Sequence, residues 1–434
     1  MTEPLDKLDC WRALEALRSG VPNRDAVSVL GCSQPRAEER FLAQLGQVAE
    51  LAKRGEQAGG TLVSGGFGSG KSHVLEYFEH LALSRGFVCS RVVVSKETPL
   101  SDPAKVLKAA VDSAQVPGLK GAAVVEVAHR LDPDSDTYGE FYQWANRSDN
   151  GLGQLFPATL FVHERLKGDP ELIEKVVGYW AGEALPIAEV RRALRECGGN
   201  LAYLIKTIPL KQLARQRFLF LSRLFAAAGY AGWVILIDEV ELIGRYSLLQ
   251  RGRAYGELAK WMGQVEAEAT PGLVAVAAIT DDFDLAVLQQ KNDLDYIVPK
   301  LRSKGTDEYR AVASRAETGM RIIRRETIEL APPSQASLQE TYQRLKQIHA
   351  VAFDWTPPEV ETADLTTRRA MRSFVRRWIN QWDIARLYPG ATALLEEEEL
   401  RTTYNEDVDL EVEASADGTA PETTLAPDSA GQPW

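Results

Sequence analysis

Cysteine is scarce. Cys10, Cys32, Cys89 and Cys197 are scattered over 434 residues and no two form a CxxC pair. A disulfide scaffold and a cysteine-built zinc site are thereby excluded, and a reducing compartment is indicated. The five histidines include no HExxH spacing, so a metallohydrolase helix is lacking; a lone His129 or His349 reads as a surface or core residue. No run approaches the roughly 18 apolar residues of a membrane-crossing helix. The start, MTEPLDKLDC, lacks a charged stretch followed by an apolar one. No secretory signal and no membrane partner are expected, and the location expected is cytoplasmic. No internal repeat is present.

An excess of basic charge is also missing, and the formal net charge is −11. Residues 396–434 contain twelve acidic side chains and one arginine, which accounts for the whole excess. The remaining chain balances at 49 basic and 49 acidic residues, so a local basic face stays open. With 45% apolar and 26% charged residues, the composition is that of a soluble globular chain of one large or two to three ordinary domains.

What the chain does have is glycine in one place. In TLVSGGFGSGKSHV, residues 61–74, four glycines fall within six positions and Lys71-Ser72 follows. Gly65-x-x-x-x-Gly70-Lys71-Ser72 fits a phosphate-cradling loop between a strand and a helix. Glycines let backbone N–H groups approach a phosphate with no Cβ in the way, and the helix adds its positive end. Lys71 then reaches the outer phosphates and the Ser72 hydroxyl ligates Mg²⁺. Gly65, Gly66, Gly68, Ser69, Gly70, Lys71, Ser72 and His73 form the candidate cradle. The alternative is a glycine-rich turn without a ligand.

WVILIDEVE (233–241) is an apolar run ending in acids. It reads as a strand buried on both faces, with Asp238 beside the metal and Glu239 positioned to orient and polarise a water. The alternative role of these acids is capping a helix. LVAVAAITDD (273–282) is a similar strand, and Thr280 at its end either presents a hydroxyl to the γ-phosphate or water or is a plain strand terminus. Arg302, Arg315, Arg321, Arg324 and Arg325 are arginine-finger candidates, with Arg324 and Arg325 preferred. Each single one also reads as a solvated surface residue.

Around these motifs the apolar spacing gives helices from Trp11, Leu14 and Leu17, and from Phe41, Leu42, Leu45, Val48 and Leu51. Strands are expected at 61–63, 87–94 and 327–330. Residues 95–231 show no clear strand and read as a helical insertion. In it TYGEFYQWANRSDNG clusters Tyr138, Phe141, Tyr142 and Trp144, either as local core or as a stacking surface for bases. In 366–383 Met371, Phe374, Val375, Trp378 and Trp382 form one helical stripe, and Arg368, Arg369, Arg372 and Arg376 another. The basic stripe reads as a solvated face, as lid arginines (Arg369 or Arg372), as a DNA-phosphate surface, or as a dock for the acidic tail. The expected division is 1–58, helices leading into the core; 59–331, an α/β core with an insertion at about 96–231; 332–395, a helical lid; and 396–434, an acidic disordered tail.

EALRSGVPNRDAV (15–27), GGFGSGKSHVLEYF (65–78), VVVSKETPLSDP (92–103), VILIDEVE (234–241) and RSFVRRWINQWD (372–383) together resemble a P-loop ATPase of the AAA+ class, near its origin-recognition-like branch. More narrowly, the chain resembles the ATP-binding proteins of bacterial BREX phage-defence systems, the BrxD type. The resemblance spans most of 11–390 and implies a parallel sheet of order 5-1-4-3-2 with a C-terminal helical lid. It implies ATP and Mg²⁺ as cofactors, with Val21, Pro22 and Arg24 near the adenine or phosphates. It also implies other defence proteins as partners. The expected function is a Mg²⁺-dependent ATPase that assembles or remodels a defence complex on DNA, with an ATP-dependent homo-oligomer as a further expectation. The alternative is a slow nucleotide-gated switch, scaffold or helicase loader.

Overall fold

The computed structural model describes residues 6–19, 26–27, 30–120, 122–166, 168–199, 203–360, 371–389 and 404–407. Helices α1 (Lys7–Ser19) and α2 (Pro35–Lys53) precede strand β1 (Thr61–Ser64), helix α3 (Lys71–Ser84) and strand β2 (Val88–Val93). A mainly helical stretch follows: α4 (Pro103–Asp112), strands β3 (Gln115–Val116) and β4 (Leu119–Lys120), then α5 (Ala123–Arg130), α6 (Asp136–Ala145) and α7 (Leu155–Arg165). Helices α8 (Pro170–Ala181), α9 (Ile187–Glu196) and α10 (Leu210–Ala227) complete it. The chain then returns to the sheet through β5 (Trp233–Asp238), α11 (Leu248–Trp261), β6 (Leu273–Ile279), α12 (Asp293–Arg302), α13 (Asp307–Arg325) and β7 (Ile328–Glu329). Helices α14 (Gln335–Phe353) and α15 (Met371–Leu387) come last.

The seven strands lie in the order β4-β3-β2-β5-β6-β1-β7. From β2 to β7 every pairing is parallel, with Val88 opposite Trp233, Trp233 opposite Leu273 and Thr61 opposite Val276. The two central strands are buried at every position, which is why they read as unbroken apolar runs. Their side chains alternate between two layers. Val234 and Leu236 join Phe41 of α2 and Val74, Leu75 and Phe78 of α3, and the Phe41 and Phe78 rings stack at 4.4 Å. Trp233, Ile235 and Ile237 face the opposite layer, where Trp233 meets Phe218 and Phe225 of α10. Each fully buried side chain of this size contributes about 1.5–3 kcal/mol. The one polar partner Trp233 requires is supplied by Ser90 of β2, whose Oγ accepts from the indole nitrogen at 2.9 Å.

Helix α1 does not join this core. Cys10, Ala13, Leu14 and Leu17 pack instead with Leu338, Tyr342 and Leu345 of α14 and Phe374, Trp378 and Trp382 of α15. Residues 1–58, grouped together on the sequence, are thus divided: α1 goes with the C-terminal helices and α2 with the sheet. Trp11, expected on the apolar stripe of α1, is 46% exposed; the buried stripe runs through its smaller neighbours.

Three further expectations are corrected. The stretch 95–231 is not free of strands, because β3 and β4 form a hairpin paired antiparallel to β2 at Cys89. Two-residue strands are too short to show alternation, but their Pro117-Gly118 turn, with Gly118 at φ +85°, is a recognisable signal. The strand expected at 327–330 narrows to Ile328–Glu329. Within the acidic tail, Tyr404–Asp407 packs on the core, and Tyr404 is 8% exposed. The aromatic cluster of α6 belongs to the core: Tyr138 and Phe141 are buried and Phe141 meets Phe220. No helix among the described residues is long and apolar enough to cross a membrane.

Candidate functional site

The glycine loop leaves β1 at the carboxyl end of the parallel strands. Gly65 N–H donates to the Ile279 carbonyl of β6 at 3.2 Å, and Ser69 N–H closes a turn on Gly66 O at 3.2 Å. Gly68 and Gly70 hold φ +73° and +100°, where a Cβ is strained by about 1–2 kcal/mol. A Cβ on Gly65 would overlap Ser69 Oγ. The amides of Gly66, Phe67, Gly68 and Gly70 donate to no protein acceptor among the described residues, and the first-turn amides of α3 have no carbonyl one turn back. The loop therefore presents a concave set of donors.

Lys71 and Ser72 open α3. Lys71 Nζ donates to Gly65 O at 2.8 Å and Gly66 O at 3.4 Å, and lies 3.9 Å from Glu241 Oε1. Ser72 Oγ donates to Asp238 Oδ2 at 2.9 Å. Asp238 also accepts from Arg91 of β2 at 3.4 Å, and Arg91 in turn pairs with Glu76 of α3. His73 Nε2 lies 2.7 Å from Gly31 O, and burial lowers its pKa.

Glu239, just past β5, sits at φ +58°. That region is uncommon for a residue with a side chain, and such strain concentrates at functional sites. Its pKa is raised by partial burial and by the charge of Asp238, against the pull of Lys71. Glu241, two residues on, is buried, and its carboxyl is pushed up to about 7 by burial, with Lys71 opposing. Thr280 follows β6 and is 4% exposed. Its hydroxyl lies 2.5 Å from the Tyr404 hydroxyl. The next residue, Asp281, packs against the loop: a Cβ on Gly66 would stand 3.4 Å from its Oδ2.

A cavity of about 520 Å³ lies over the glycine loop and the acidic end of β5, and Thr280 is not among its walls. Gly66 to Val74, Arg91, Asp238, Glu239 and Glu241 line it. Its walls also include Leu17 of α1, Leu30 to Gln34, Ala331, Pro333, and Met371, Arg372 and Val375 of α15. Arg372 thus reaches the cavity. Arg324 and Arg325 are not among its walls; Arg324 pairs with Asp284 at 3.3 Å. Val21, Pro22, Arg24, Arg368 and Arg369 lie outside the described residues. The tail acids do not dock on Arg372 or Arg376 within Tyr404–Asp407: Glu406 pairs with Arg251 and Asp407 with Arg245.

Sequence reading missed several residues in and around the site. Glu241 belongs to the same acidic run and carried a signal. Arg91 and the Gly31–Gln34 stretch carried none, because only the packing of β2 and α2 brings them to the loop. Tyr404 was hidden in an acidic, low-complexity context.

The residues present fit a Mg²⁺-nucleotide. Among the described residues Ser69 Oγ and Glu241 Oε2 are buried without a hydrogen-bond partner, and the loop offers amides that these residues leave unpaired beside a lysine. Among the described residues no group of three or more His, Cys, Asp or Glu side chains could hold a metal alone.

No curated protein and no solved structure matches the chain. One family model does, over residues 7–116 and 161–391, and its description is BREX system ATP-binding protein BrxC/D. The match takes in α1, the glycine loop, both acidic strand ends, α14 and α15, and leaves out the region of β4, α5 and α6. Covering most of the chain, it shows that the protein belongs to the BrxC/D family of BREX system ATP-binding proteins.

Proposed function

We propose that this BREX-family protein hydrolyses ATP in a Mg²⁺-dependent reaction and uses the cycle to assemble or remodel a defence complex on DNA. The observation that carries the reading is the 2.9 Å bond from Ser72 Oγ to Asp238, which joins the glycine loop to the acidic end of β5. Strand order supports a P-loop ATPase of the AAA+ class: numbered among themselves along the chain, the five parallel strands run 5-1-4-3-2 across the sheet.

In this reading the amides of Gly66, Phe67, Gly68 and Gly70 and the Ser69 hydroxyl receive the phosphates, and Lys71 leaves the Gly65 and Gly66 carbonyls for the outer phosphate oxygens. Ser72 and Asp238 hold Mg²⁺, which when bound offsets phosphate charge. Glu239 orients the attacking water and takes its proton, a role favoured by a raised carboxyl pKa. Thr280 donates its hydroxyl to the γ-phosphate. His73 ties α3 to the Gly31 stretch of the cavity wall, and the base would lie against Leu17 and Val375; Val21, Pro22 and Arg24 are assigned beside it. Arg372 or Arg369 serves as lid arginine. Arg324 or Arg325 is offered to a neighbouring copy in an ATP-dependent homo-oligomer, since such a cation is often supplied in trans.

Replacing Glu239 by Gln is expected to keep ATP binding and to lower turnover by about 100-fold or more. Hydrolysis at the wild-type rate in that variant refutes the assignment. A second reading, a slow nucleotide-gated switch, scaffold or helicase loader, is favoured by the bond between Thr280 and Tyr404. Strong stimulation of turnover by DNA supports the remodelling motor; slow turnover that ignores DNA supports the switch.

A further inference from the structure

We propose that Tyr404 is a positioning residue for Thr280, and that Tyr404–Asp407 is an intramolecular latch withholding the Thr280 hydroxyl from the triphosphate. The proposal rests on the role assigned to Thr280 above.

The latch occupies a slot shaped for it. Gly244 faces the Tyr404 ring, and a Cβ there would stand 2.8 Å from Tyr404 Cδ1. Phe283 meets the same ring edge-on at 5.9 Å and 90°. Further along, Arg251, whose side chain is 3% exposed, donates to Glu406 Oε1 at 2.8 Å while also paired with the fully buried Asp293. Asp407 pairs with Arg245, and its amide donates to the Arg245 carbonyl at 3.1 Å. The surface under the latch, Val240–Arg245, continues directly from Asp238 and Glu239. The latch thus touches the segment that follows β5 and the end of β6.

The proton count gives the sign of the coupling. Tyr404 has one hydroxyl proton and donates it to Asp282 Oδ1 at 2.7 Å, since a carboxylate only accepts. At the 2.5 Å contact Thr280 must then be the donor and Tyr404 the acceptor. Thr280 also has one proton. It cannot point at Tyr404 and at a phosphate oxygen together, so a docked latch leaves Thr280 unable to donate to the γ-phosphate. A triphosphate that takes this proton loosens the latch, and by linkage a loosened latch favours the triphosphate over the diphosphate.

The test is Tyr404→Phe in the full chain, which keeps the ring and its packing but removes the hydroxyl. kcat/KM for ATP is expected to rise about fivefold, the size of one neutral hydrogen bond, while the ADP dissociation constant stays unchanged. A purely structural role would move ATP and ADP affinity alike, and that result overturns the latch, as does an unchanged or lowered kcat/KM. A chain ending at Thr403 should shift the ratio of ATP to ADP affinity in the same direction. In wild-type protein, chymotrypsin should cut after Tyr404 faster with ATPγS than with ADP; equal rates overturn the proposal. Wild-type protein that binds neither nucleotide refutes the functional reading, and the latch with it. Wild-type protein that hydrolyses ATP beside an unaltered variant refutes the latch alone.

Discussion

Glu241 shows how much a single buried group decides. Its carboxyl titrates at about 7 in the folded chain, against about 4.3 for a free glutamate. Between those values the folded state holds a proton that the unfolded state releases, so stability falls as pH rises through the window and levels off above about 7. The contribution is on the order of 3 kcal/mol. Glu241→Gln is therefore expected to flatten that fall, read as urea midpoints at pH 5 and pH 7.5 that lie closer together than in wild type. Equal slopes in the two proteins would show that another group is responsible. Glu241 was visible in the sequence as the last acid of WVILIDEVE, but its burial and its closeness to Lys71 were not, since both depend on the turn that follows β5.

At the scale of elements, α11 and α13 approach each other closely through glycines. A Cβ on Gly319 would overlap the Tyr255 carbonyl oxygen, and one on Gly256 would stand 3.3 Å from Arg315 Cβ. Gly319→Ala forces the two helices apart and should destabilise by about 1–3 kcal/mol, measured by urea unfolding. A neutral result would mean that α13 moves freely. The elements themselves were largely legible. β5 and β6 are buried on both faces and announced themselves as apolar runs, and α2 and α15 announced themselves by helical spacing. The hairpin β3–β4 was not legible, because two residues per strand carry no period and its pairing with Cys89 is a long-range event.

Across the whole molecule, the cavity is closed by parts distant in sequence. Leu17 of α1 and Val375 of α15 line it together, and both helices share one apolar cluster with α14. Arg18 fastens the arrangement through Asp383 at 2.7 Å, and Asp383 also accepts from the buried His349. Leu14→Ala, which leaves a cavity in that cluster, should destabilise by about 2–5 kcal/mol. It should also weaken ATP binding, because the cavity wall moves with α1. Thermal unfolding together with titration of a fluorescent ATP analogue checks both; lost stability with unaltered affinity would separate α1 from the site.

By itself the sequence determined the local chemistry: a bare glycine backbone before Lys71-Ser72, and carboxylates at the end of an apolar strand. Such features depend on residue type at short spacing, and short spacing is what strand and helix geometry convert directly into position. Only the tertiary structure decided that α1 packs with the C-terminal helices and that Arg91 joins Asp238. It also decided that Tyr404, within an acidic stretch of low apolar content, takes the hydroxyl of Thr280. Those choices depend on which surfaces meet across hundreds of residues, where the buried ion pair of Arg251 and the space left by Gly244 outweigh any local preference.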